Sequence, residues 1–156
     1  MNGSYGNRDL TLDEIAIKEG FTSPFIVDEK VPLSKWFGSV LDVKLKDLSD
    51  GDIARLIRQK FHLTYIIPEA LYRLYQNPLA GDLYDAEILI SMNEVKDQFW
   101  KDHNNLTSDV RDYLININEE DSKIKNIKII TEEEPEEILG KIQQFEKKLT
   151  SILLTI

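Results

Sequence analysis

Ser49-Asp50-Gly51-Asp52-Ile53-Ala54-Arg55-Leu56-Ile57-Arg58-Gln59-Lys60-Phe61 is the stretch in which the fold is most directly legible. Ser49 is a helix N-cap residue, with a hydroxyl that accepts a bond from a backbone N–H one turn on. Asp50 and Asp52 fall in the first turn, where the helix dipole favours acids; Arg55, Arg58 and Lys60 fall toward the C-terminal half, where it favours bases. Ile53, Leu56, Ile57 and Phe61 recur at helical spacing and define one apolar face.

The same signals recur on both sides. Thr11-Leu12-Asp13-Glu14 is a capping box that predicts a helix of about two turns, carrying Leu12 and Ile15 inward and stopping at Gly20. Phe21 to Pro32 holds two prolines among Asp, Ser and Thr residues and is expected to be irregular, with Phe25, Ile26 and Val27 packing on the body of the fold. Leu33 to Leu45 predicts a further helix through Leu33, Trp36, Phe37, Val40 and Leu41.

C-terminal to the opening stretch, Pro68 is expected in the first turn of a new helix, where its missing N–H is no loss, and Asn77-Pro78 ends that helix. The next helix is expected near Asp82 to Asp85, burying Ile88, Leu89 and Met92, and Val95, Phe99 and Trp100 add to its core. Thr107 to Ile117 predicts one more. Ile127-Lys128-Ile129-Ile130 is the one place where a strand competes with a helix; a lone strand has no partner, so an extended loop is expected. From Pro135 the residues Ile138, Ile142, Phe145, Leu149 and Ile152 form an amphipathic stripe over about 135–152. The expected fold class is therefore all-α, a single compact domain over 1–156 with about six to eight helices and short loops.

Composition narrows the function. The chain has 156 residues, 42% hydrophobic and 30% charged, with 28 acids against 19 Lys plus Arg, no cysteine and a net charge of -9. Such a balance repels nucleic acid, because phosphate binding depends on clustered bases. It favours encounter with basic proteins. A disulfide framework is excluded, and neither a signal peptide nor a membrane span is expected, which predicts a cytoplasmic protein with no membrane partner.

Chemistry has few places to reside. His62 and His103 belong to no paired-ligand spacing, no cysteine exists to bind a metal or attack a substrate, and the glycines form no phosphate-binding loop. No catalytic residue, metal site or cofactor is expected. Asp82, Asp85 and Glu87 lie close enough for a hydrolase pair, but acids at a helix N-terminus are favoured by the dipole alone. Residues 61–100 carry six acids against two bases. An acidic patch of Asp82, Asp85, Glu87, Glu94 and Asp97 either faces a basic partner or simply solubilises helix faces. Tyr72, Tyr75 and Tyr84 are candidate anchors for such a partner, or half-buried core residues.

Several pieces in fixed order carry a resemblance. They are Pro32-Leu33, Leu48-Ser49 with Asp52-Ile53-Ala54-Arg55-Leu56-Ile57-Arg58-Gln59, Leu63-Thr64-Tyr65-Ile66-Ile67-Pro68-Glu69-Ala70-Leu71, Asn77-Pro78-Leu79 with Gly81-Asp82-Leu83-Tyr84, and Phe99-Trp100. Together, over 32–100, they resemble the helical immunity proteins of bacterial contact-dependent growth inhibition (CDI) systems. The resemblance implies an all-helical inhibitor, not an enzyme, that binds the C-terminal toxin domain of a large secreted effector and protects the producing cell. Toxins of such systems are often nucleases, and the net charge of -9 suits a basic one.

The alternative expectation is a helical adaptor or oligomerisation module in which the stripe Ile138 to Ile152 pairs with another helix. Docking of that stripe on the chain's own core, leaving a monomer, is the expected outcome.

Overall fold

The computed structural model describes residues 4–119 and 135–155. Among the described residues there are eight α-helices and no strands: α1 (Leu12–Lys18), α2 (Pro32–Val40), α3 (Asp50–Arg58), α4 (Leu63–Gln76), α5 (Glu87–Asn93), α6 (Asp97–Asp102), α7 (Asn104–Glu119) and α8 (Pro135–Leu154). Short 3-10 turns at Ser4–Asp9 and Leu45–Asp47 complete the elements. The fold is all-α.

Local chemistry accounts for most boundaries. The Thr11 hydroxyl accepts from the Glu14 N–H and the Glu14 carboxylate accepts from the Thr11 N–H, so the capping box that opens α1 is formed. Gly20 leaves α1 at a φ of +95°, a left-handed conformation that favours glycine. Ser49 caps α3 through the Asp52 N–H at 3.0 Å. Asn77 ends α4.

Five boundaries or placements differ from the expectation. α2 stops at Val40 rather than near Leu45, because the Asp13 and Leu45 N–H groups bond to Leu41 and Leu10 carbonyls and draw the chain against the start of α1. Phe61 lies beyond α3, after Lys60 turns left-handed, and packs its ring 4.5 Å from Phe37. α4 begins at Leu63, so Pro68 sits inside it and not in its first turn. The proline costs one backbone bond, which is offset by burial of Ile66, Ile67, Ala70, Leu71 and Leu74 on the same helix. α5 begins at Glu87, not at Asp82 to Asp85, because the Asp82 and Leu83 N–H groups donate to the Glu87 side chain and Ala86 adopts a φ of 64°. In the irregular stretch, Phe25 meets Phe37 edge to face and Val27 lies against Gly38, but Ile26 is 85% exposed and points to solvent.

One hydrophobic cluster draws on every helix from α1 to α8. Trp100 of α6 is wholly buried against Phe145 of α8, at 5.6 Å between rings, and the Thr107 hydroxyl of α7 donates to the Trp100 carbonyl at 2.7 Å. The stripe Ile138, Ile142, Phe145, Leu149 and Ile152 is no more than 5% exposed, and α8 docks on α7 with contacts to α5 and α6. The Ile127 to Ile130 run lies outside the described residues.

Candidate binding surface

Residues 77–86 join α4 to α5, and the second half of this connection, 81–86, is held by a buried carboxylate. Glu87 is fully buried; one oxygen accepts from the Asp82 and Leu83 N–H groups at 2.9 and 3.2 Å, and the other pairs with Arg58 Nη1 at 3.0 Å. Arg58 also donates to the Ser91 hydroxyl. Asp82 in turn accepts from the Gly51 N–H at 2.7 Å, at the start of α3. A Cβ on Gly81 would come within 2.4 Å of the Tyr84 carbonyl oxygen, so only glycine fits the turn.

These contacts sort the expected acidic patch. Glu87 is not on the surface, because its charge is spent on Arg58 and on two backbone N–H groups inside the fold. Asp82, Glu94 and Asp97 are exposed and Asp85 is half-buried. Asp97 lies 3.9 Å from Lys148 Nζ, whose pKa partial burial pushes down while Asp97 raises it.

The tyrosines also part company. Arg8 places its guanidinium 3.9 Å over the Tyr72 ring, so Tyr72 serves a contact within the chain. Tyr84 is half-buried and packs against the core. Tyr75 is the exposed one, at 45%, with its ring edge-on to Tyr113 at 4.9 Å. Partial burial, with Asp109 and Asp112 nearby, raises the Tyr75 phenol pKa. Burial raises that of Tyr113 more strongly, while its hydroxyl donates to the Leu74 carbonyl at 3.0 Å.

A second buried carboxylate, Glu69, lies midway along α4. Glu69 takes Arg8 Nε at 2.6 Å and Arg73 Nε at 2.7 Å, and Arg73 continues to Asp50 and to the Leu45 carbonyl at 3.0 and 2.9 Å. This network ties the N-terminal turn, the second 3-10 turn, α3 and α4 together. Sequence inspection missed it; the one available signal was the Glu69 and Arg73 pair at four-residue spacing on a helix. Asp109 and Asp112 lie beyond the acid-rich segment 61–100, and no motif in the sequence marks them.

Among the described residues no group of three or more potential ligands is placed to hold a metal ion, and no helix is long and apolar enough to cross a membrane. What the geometry defines, among the described residues, is an all-helical scaffold whose buried ion pairs fix loops and whose exposed acids, with Tyr75, face outward. A family model described as CDI immunity proteins matches residues 23–110, more than half of the chain and beyond both ends of the stretch that carried the resemblance. The chain belongs to the family of CDI immunity proteins. No curated protein matches it.

Proposed function

We propose that this chain binds the C-terminal toxin domain of its cognate CDI effector and neutralises it in the cytoplasm of the producing bacterium. The observation that carries the proposal is the family match over residues 23–110. The chain acts as a single domain and a monomer, by tight binding and without turnover of its own. No cofactor takes part.

The toxin domain is basic, and a nuclease is the chemistry that best complements a net charge of -9. Asp82, Asp85, Glu94 and Asp97 attract it over distance, and Tyr72, Tyr75 and Tyr84 lie in the region it covers. Glu87 contributes through the shape of the loop it holds, not by touching the partner. A stable complex of this kind buries about 1,200 to 2,000 Å².

Mixing the purified chain with the C-terminal domain of the large effector encoded beside it, followed by size-exclusion chromatography and an assay of toxin activity, tests the proposal. Co-elution at one-to-one stoichiometry with loss of toxin activity is expected; separate elution with full activity would refute it. The adaptor alternative finds no support, since the stripe it would use is buried against α5, α6 and α7.

A further inference from the structure

An open groove of about 580 Å³ runs between the first half of α4 and the junction of α6 with α7. Thr64, Asp102, His103, Asn104, Asn105 and Asp109 contribute its polar lining, and among the described residues no Lys or Arg lines it. His103 is fixed by stacking on Phe99 at 4.2 Å, with Nδ1 2.7 Å from the Phe99 carbonyl oxygen. A carbonyl only accepts, so Nδ1 carries the hydrogen and Nε2 is left to the groove. The N-terminus of α7 contributes about half a positive charge at this place, which the two full carboxylate charges of Asp102 and Asp109 outweigh. The groove is therefore rich in acceptors and negative in sign.

Pro68 lines the groove, and Tyr75 lies about two turns further along α4 on the same helix face. Tyr75 is exposed yet held edge-on by Tyr113, which is itself tied to the Leu74 carbonyl. An exposed aromatic held by a neighbouring ring loses little side-chain freedom on binding, as suits an interface anchor. The one base on this stretch of α7, Arg111, is paired with Asp112 at 3.1 Å.

We propose that the groove between α4 and α7 receives a Lys- or Arg-bearing segment of the basic toxin domain, with Tyr75, further along the same face of α4, as an anchor for the same partner. The inference rests on the proposed function and adds to it the contact surface. It assigns separate duties to the two acidic regions: Asp85 and Glu94, which do not line the groove, speed encounter, whereas Asp102, Asp109 and Tyr75 hold the docked partner.

The experiment measures association and dissociation rates of the full chain with the C-terminal domain of the neighbouring effector by surface plasmon resonance. The Asp102→Asn/Asp109→Asn pair and Tyr75→Ala are expected to speed dissociation by about tenfold. The Asp85→Lys/Glu94→Lys pair is expected to slow association and weaken its salt dependence while leaving dissociation near that of the unmodified chain. Thermal melts of each variant confirm an intact fold, and the isosteric Asn changes are chosen to preserve it. If the unmodified chain binds and the groove variants dissociate at its rate, the groove assignment is overturned and the proposed function stands. If the unmodified chain does not bind, both fall.

Discussion

The Glu87 carboxylate lies 3.0 Å from Nη1 of Arg58 with its side chain wholly removed from solvent. Removing one partner of a buried pair strands the other charge, at a cost of about 3 to 5 kcal/mol. Arg58 keeps 29% side-chain exposure and can recover some hydration, which places Glu87→Ala near the lower end, about 3 kcal/mol. Denaturant melts measure this. A loss under about 1 kcal/mol would mean that the pair does not hold the loop after α4.

Gly51 and Gly81 both lack room for a Cβ, but what stands in the way differs. At Gly81 the obstacle is the Tyr84 backbone oxygen at 2.4 Å; at Gly51 it is the Asp82 carboxylate at 2.6 Å, the far end of a side chain that can turn aside. Gly81→Ala is expected to cost about 1 to 3 kcal/mol or more. Gly51→Ala is expected to fall near zero, because the lost Asp82 contact is offset by a gain in helix propensity of about 1 kcal/mol. Equal losses in the two variants would contradict the geometry.

The stripe on α8 is core. Phe145 is fully buried against Trp100, so Phe145→Ala should destabilise the chain by about 3 to 5 kcal/mol. Ile142→Asp should disrupt the folded monomer, seen as a lowered melting midpoint at any protein concentration. A dimer in the unmodified protein that Ile142→Asp dissolves, with the monomer's melt unchanged, would instead show that α8 pairs between chains.

Burial raises the Tyr113 phenol pKa, with a smaller contribution from Tyr75. The folded state therefore holds the neutral form, whereas the unfolded chain ionises at the ordinary value of about 10. The stability Tyr113 contributes is full below that value and is lost as pH rises toward its folded pKa. Tyr113→Phe should cost about 0.5 to 1.5 kcal/mol at pH near 7, through the lost bond to Leu74, and should flatten the decline above about pH 10. Thermal melts across that range check it; parallel pH profiles for the two proteins would contradict it.

Ser49, Thr11, Asn77 and the α8 stripe were legible in the sequence because each acts locally: a cap bonds three residues on, and a helical face repeats every turn. Pro68 was misplaced because tertiary burial, invisible in a local window, outweighs the bond it costs. Glu87 was misplaced for the same reason. Its acid neighbours suggested an exposed helix start, while the partner that draws it inward, Arg58, lies 29 residues away. Ile26 went the other way, an apolar residue left in solvent because the segment around it turns only Phe25 and Val27 toward α2. The family was legible in the order of its short motifs, whereas the groove between α4 and α7 joins residues that no single stretch contains.

Neutralisation by binding is tested most directly in cells that produce the C-terminal domain of the neighbouring effector, with and without this chain. Survival is expected when the chain is co-produced, and death when it is omitted or replaced by an unrelated immunity protein. Equal killing in its presence and absence, with the chain folded and abundant, would contradict the account.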